Sequence, residues 1–174
     1  MKSRTNRVTV SGSGIWLAWL SRAEIFLSKW SVMSTARSAL GLAIIQTLAA
    51  DGELRHYVVV GLGTNGPVSD TQIRQLSRLI GPDRDLILIN TFGPMPWEAS
   101  VNEVLDGAAR HMTRVSLADW HAAIAGHTDL LWPDGIHPQP SGAKLYARVV
   151  LAALQALLAH APAPPCGRPV SGPG

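Results

Sequence analysis

The 174-residue chain reads as one α/β domain: a three-layer α/β/α sandwich around a mostly parallel five-stranded sheet. Three observations lead there. Short β-branched runs alternate with helical stretches of about 10–15 residues, the pattern of βαβ units. One run, Val58-Val59-Val60, is continuously apolar, as in a parallel strand covered on both faces. Hydrophobic residues make up 47% and charged residues 16%, which excludes intrinsic disorder for the bulk of the chain.

The elements run in order along the chain. Val8-Thr9-Val10 is the expected first strand, followed by an apolar helix over residues 15–27 and a short strand over 30–35. Residues 38–50 have helical spacing, with Leu42, Ile45 and Ala49 on one face. The third strand covers 56–62. Asp70 is the expected N-cap of a helix ending near Ile80. Residues 85–90 give the fourth strand, and 97–112 a helix with Val101, Val104, Leu105, Ala108 and Met112 on one stripe. A last strand at 114–117 precedes a last helix at 141–160, with Tyr146, Val150, Leu154 and Leu158 inward. The domain is expected over 7–160, with a flexible N-terminus at 1–6. The tail at 161–174 holds Pro162, Pro164, Pro165, Pro169 and Pro173 and is expected to be disordered.

Composition narrows the function. The formal charge is +3 with scattered Lys and Arg, so a nucleic-acid partner is not expected. A single cysteine, Cys166, excludes an internal disulfide and a cysteine-based metal site. His56, His111, His127 and His160 show no metal-ligand spacing, and neither a metal nor an organic cofactor is expected. No run reaches the ~18 uncharged apolar residues of a membrane span. The basic N-terminus leads into the polar Ser11-Gly12-Ser13-Gly14, so no signal peptide is read.

Ligands of open parallel sheets sit beyond the carboxyl ends of the strands, so the exit loops matter most. In the loop Trp132-Pro133-Asp134-Gly135-Ile136-His137-Pro138, Asp134 and His137 are three apart in a tight turn. A carboxylate there can fix the imidazole tautomer and stabilise the imidazolium formed when histidine deprotonates a nucleophile. The same spacing also serves as a plain loop-capping hydrogen bond. Gly61 to Gly66 matches G-x-G-x-x-G, a dinucleotide fingerprint, but Pro67 follows where a helix should already have begun, and the next strand ends at Asn90 rather than an acid. The alternatives for Asn65 are a left-handed turn residue and an amide donor to an oxyanion. Ser13 lies between two glycines at a strand-to-helix turn, where backbone N–H groups are available to a developing oxyanion. Serine, amide and Asp/His pair converge, in that chain order, on one sheet edge. That is an acyl-transfer constellation.

In this order of motifs the sequence resembles the SGNH (GDSL-like) hydrolases, whose sandwich is flavodoxin-like. It is most similar to the SGNH domain fused to membrane O-acyltransferases that acetylate cell-wall or surface polysaccharides. The resemblance runs from Arg7 to Leu158. It is carried by 58–66 and by Asp134-Gly135-Ile136-His137-Pro138 with Ser141-Gly142-Ala143, supported by Pro96-Trp97, Asn102 and Asp119-Trp120. It implies Ser13 as nucleophile, His137 as base and Asp134 as its orienting acid. It further implies an oxyanion hole of Asn65 and the N–H groups of Ser13 and Ala36, with Arg37 and Gly63 touching substrate.

The expected activity is that of an esterase or O-acetyl transferase on acylated carbohydrate. The implied partner is a membrane acyltransferase domain, and the implied setting is extracytoplasmic. Two positions depart from the family pattern. Ser11-Gly12-Ser13 stands where the family has Gly-Asp-Ser, and Ala36 stands where a glycine precedes Arg37. A Ser11 nucleophile, and a decayed domain serving as a carbohydrate-binding or accessory module, are the alternatives those departures leave.

Overall fold

The computed structural model describes the backbone of residues 9–11, 30–34 and 38–160, and side chains from 42 to 159. Five parallel strands pair in sequence order: β1 (Thr9–Ser11), β2 (Trp30–Ser34), β3 (Tyr57–Gly61), β4 (Asp85–Ile89) and β5 (Val115–Ala118). All five carboxyl ends therefore open on one edge. The expected helix at 15–27, the N-terminal segment 1–6 and the tail at 161–174 lie outside the described residues.

The helices divide between the two faces, and the strand residues divide with them. Strand side chains alternate in direction, so Val58, Val60, Leu86, Leu88 and Val115 point to one side and Val59, Ile87, Ile89 and Ala118 to the other. Helices α1 (Ser38–Ala50), α2 (Asp70–Ile80) and α3 (Glu98–His111) cover the first side through Ile45, Leu48, Ile73, Leu76, Ile80, Val101, Leu105 and Ala108. Each lies in a crossover that advances the sheet in the same direction. Parallel crossovers are right-handed, so all three fall on one face. The opposite face is covered by the elements after β5: α4 (Trp120–Ala125), a 3₁₀ turn (Thr128–Leu130) and α5 (Pro140–His160).

Three local details differ from the sequence expectation. The N-cap of α2 is Ser69, not Asp70. The Ser69 hydroxyl accepts from the Gln72 backbone N–H while the Gln72 side chain takes the Ser69 N–H, a reciprocal capping box. Asp70 becomes the first helical residue, its carboxylate 2.6 Å from Arg74 one turn on. Leu158 is half exposed rather than inward. Four-residue steps gain about 40° per step on a 3.6-residue helix, so after Tyr146, Val150 and Leu154 the inward stripe continues at Leu157. Residues 140–159 of α5 are also long and apolar enough to cross a membrane by length and composition, with a mean hydropathy of 1.4 over the most apolar 18 residues. Counting only uncharged runs hides this, because Lys144 and Arg148 interrupt the stretch. In the fold, its Val150 and Leu154 are buried on the sheet.

Two helical glycines separate packing from propensity. A Cβ at Gly142 would lie 2.5 Å from the Leu130 carbonyl oxygen and 2.7 Å from the Pro138 Cβ, whereas one at Gly107 would meet nothing within 4 Å. Gly142→Ala is expected to lower stability by about 1–3 kcal/mol through overpacking. Gly107→Ala, inside α3, is expected to raise it by about 0.5–1 kcal/mol. Denaturant midpoints of the two variants should move in opposite directions.

Candidate active site

The loop between the 3₁₀ turn and α5 is tied to itself before it presents any chemistry. Leu131 and Pro138 form an isolated antiparallel bridge, and the Trp132 N–H donates to the His137 carbonyl at 2.7 Å. The Gly135 N–H returns to the Trp132 carbonyl at 2.9 Å, with Gly135 at φ +67°, a left-handed position that suits glycine. The Gln139 side-chain amide donates to the Leu131 carbonyl at 2.6 Å and the Asp129 carbonyl at 3.1 Å. These bonds close the turn that the Asp134 to His137 spacing requires.

Within it, Asp134 Oδ1 accepts the backbone N–H groups of Ile136 and His137, each at 2.9 Å, and Oδ2 lies 2.7 Å from His137 Nδ1. Those backbone donors, the His137 N–H first, with the imidazole bond adding to them, lower the Asp134 carboxyl to about 2 from the ordinary 3.8. The carboxylate is therefore charged at any neutral pH. It acts as acceptor, so the proton of a neutral imidazole sits on Nδ1 and the basic lone pair on Nε2. Both side chains are about half exposed, 46% for Asp134 and 50% for His137.

His137 lines a cleft of about 50 Å³ with Ile136, Thr64, Thr91, Phe92 and Tyr146, across the carboxyl ends of β3 and β4. Its floor is held by side chains that satisfy backbone groups of the exit loops. The Asn102 amide spans Thr91, accepting from its N–H at 2.9 Å and donating to its carbonyl at 2.8 Å. The Trp97 indole donates to the Gly63 carbonyl at 2.8 Å. Asn90, 8% exposed, donates to Asp119 at 2.7 Å and accepts the His121 backbone N–H at 2.8 Å, while Asp119 caps α4. His121 thus lies in the first turn of that helix, its ring 5.3 Å from Phe92. Gly93 brings the β4 exit loop hard against the dyad loop: a Cβ there would sit 2.8 Å from Ile136 Cγ1.

The sequence-derived residues fall into three groups. Asp134 and His137 come together as a hydrogen-bonded pair. Asn65 is exposed in the turn after β3, next to the cleft residue Thr64, whose hydroxyl is 3.2 Å from that of Thr91. Gly63 is buried, with φ +109° and space for a Cβ denied by Val101 at 2.5 Å, so its place is in the packing under the loop. Ser13, Ala36 and Arg37 lie outside the described residues, as does Gly12. Ser11 closes β1 at the carboxyl edge, its backbone in register with Met33.

The Gly61–Gly66 run is not followed directly by a helix, since α2 begins at Asp70. That agrees with the reading against a dinucleotide site. Asn90 and Thr91 are cleft residues that motif reasoning does not reach. Their signal is that both are polar immediately after the apolar run 86–89, and both are buried. Among the described residues no group of three or more His, Cys, Asp or Glu could hold a metal ion.

The Asp134 carboxyl ties stability to pH with a definite sign. A carboxyl lowered to about 2 stabilises the fold above the unfolded value near 3.8, and that contribution is lost as the pH falls through about 2. Carboxyl-carbon NMR should place the Asp134 midpoint near 2. Asp134→Asn should lose less stability than the parent protein on acidification from about pH 5 to 2.

No protein-family model matches the chain. Over 98 residues it is 37% identical to YrhL of Bacillus subtilis (strain 168), named as a candidate peptidoglycan O-acetyltransferase. Over 98 residues it is 33% identical to the O-acetyltransferase OatA of Staphylococcus aureus (strain NCTC 8325 / PS 47). Each alignment takes in 56% of this chain but 15% and 16% of those proteins, so the chain spans a small part of the length of the curated relatives it matches. Among solved structures, it superposes on the C-terminal catalytic domain of Streptococcus pneumoniae peptidoglycan O-acetyltransferase A with a TM-score of 0.70. That match has 19% identity over 83% of this chain and 88% of the other. A lipolytic G-D-S-L family protein of Veillonella parvula matches with a TM-score of 0.59 and 15% identity, over 71% and 77% of the two chains. The sheet and the flanking helices thus have the fold of these solved structures, and the chain shares sequence with a part of these O-acetyltransferases.

Proposed function

We propose that this domain is an SGNH-type serine esterase or O-acetyl transferase that works through an acyl-serine intermediate on O-acetylated carbohydrate of the cell wall. The observation that carries the reading is the 2.7 Å Asp134–His137 pair at the carboxyl edge of the sheet, its carboxylate held by two backbone N–H groups. The names of the relatives point to O-acetyl transfer, and those of YrhL and the Streptococcus pneumoniae domain to peptidoglycan as the substrate. By that likeness we also propose an extracytoplasmic setting and a membrane acyltransferase domain as partner.

In this mechanism Ser13 Oγ adds to the ester carbonyl carbon while His137 Nε2 takes its proton. The Asp134 carboxylate stabilises the imidazolium. The oxyanion is received by the Asn65 amide and by the N–H groups of Ser13 and Ala36, with Arg37 contacting substrate beside them. Collapse expels the alcohol, which leaves with the proton from His137, and the acyl group stays on Ser13. His137 then deprotonates water or a sugar hydroxyl, whose oxygen takes the acyl group and frees the serine.

The purified chain is expected to hydrolyse p-nitrophenyl acetate. Ser13→Ala and His137→Ala should each fall to background, and Asp134→Asn by roughly 10³–10⁴-fold through the wrong imidazole tautomer. Equal background rates in parent and variants would defeat the proposal and leave a domain that binds without catalysis.

A further inference from the structure

Among the described residues, the large apolar side chains left about half in solvent are Trp132 and Leu158. Leu158 is a helix residue one step off the buried stripe, and packing geometry accounts for it. Trp132 has no such account. It comes directly after Leu131, which is 4% exposed and sits in the core, so the extended backbone turns the next side chain to the opposite side. The pairing of Leu131 with Pro138 makes Trp132 and His137 the next opposed pair, and the Trp132 N–H to His137 carbonyl bond of 2.7 Å confirms that register. Opposed residues of an antiparallel pair carry their side chains on the same side, with Cβ atoms about 4.5–5.5 Å apart. The backbones of Trp132 and His137 are thus direct neighbours, on a loop tied across itself by hydrogen bonds.

The geometry points to Trp132 as the platform on which a pyranose ring of the substrate stacks while its acetyl ester lies at His137. This rests on the reading of the site as one for acetylated carbohydrate and adds the element that recognises the sugar. A pyranose presents an apolar C–H face and a polar rim. An aromatic face answers the first through dispersion and its π quadrupole, and solvent answers the second. The charge nearby fits a neutral ring. The Asp134 carboxylate, 46% exposed and held ionised, disfavours an anionic group beside it. Two backbone bonds, Trp132 N–H to His137 and Gly135 N–H to Trp132, fix the main chain that carries the indole, so no loop ordering is needed on binding.

The test separates sugar recognition from chemistry. Binding of a β-1,4-linked N-acetylglucosamine pentamer is measured by calorimetry for the full chain, Trp132→Ala, Trp132→Leu and Trp132→Tyr, alongside p-nitrophenyl acetate hydrolysis by the parent. Kd should weaken about five- to tenfold in the Ala and Leu variants and recover in Tyr, the size of one aromatic contact. On an O-acetylated N-acetylglucosamine trimer, the loss should appear in KM rather than kcat, as for an interaction made equally in ground and transition states. Equal Kd in parent and Trp132→Ala, no pentamer binding by the parent, or a Leu variant as good as Tyr would each overturn the inference. Trp132-dependent pentamer binding by a parent that hydrolyses no ester would uphold the platform and defeat the catalytic reading instead.

Discussion

The hand of the crossovers governs everything else in this domain. Three successive right-handed connections carry the chain across the sheet in one direction and lay α1, α2 and α3 on one face. The other face, with Val59, Ile87 and Ile89 along its middle, must be covered by whatever remains after β5. The remaining chain turns back, and α5 packs over β5 and β4. Its entry loop is thereby delivered to the carboxyl ends of β3 and β4, where Asp134 and His137 sit beside Thr64 and Thr91. The dyad's address is a by-product of the need to bury a sheet face.

Much of this is legible in the sequence because the signals are local and periodic. The continuous apolar runs at 58–60 and 86–89 are strands, and the stripe on Val101, Leu105 and Ala108 is buried. Asp134 and His137 are legible because three residues bounded by Gly135 and Pro138 leave few conformations other than a turn. The features that escape a sequence reading depend on contacts distant in sequence or on competition between neighbours. Ser69 outranks Asp70 as cap only because Gln72 completes a reciprocal pair. The short helix α4 has too few residues for a period to show, and is nucleated by Asp119, itself positioned from Asn90. Trp97 and Asn102 enter only through family resemblance. Their work on the Gly63 and Thr91 backbones bridges 34 and 11 residues, which no spacing rule reports.

Those long-range side-chain bonds share one logic. Loops at a sheet edge carry backbone N–H and C=O groups with no strand to pair with, and leaving them unsatisfied in a partly buried place is costly. Here a side chain from a neighbouring element supplies the partner each time: Trp97 and Asn102, before and within α3, for the exits of β3 and β4, and Asn90 for the His121 N–H at the start of α4. The cleft floor is therefore set before substrate arrives, and its shape does not depend on the side chains that face the ligand. Gly93 and Gly142 complete the arrangement by letting two segments approach the dyad loop more closely than any Cβ allows.

The Asp134 carboxylate draws its hydrogen bonds from residues two and three positions further along the chain. The Asp134–His137 pair is thus assembled within four consecutive residues, while the serine proposed as its nucleophile, Ser13, lies most of the polypeptide away. Heating or mild denaturant should separate those two length scales. The short-range pair should outlast the long-range encounter, so that inactivation begins as a separation of the proposed nucleophile segment from an intact Asp134–His137 loop.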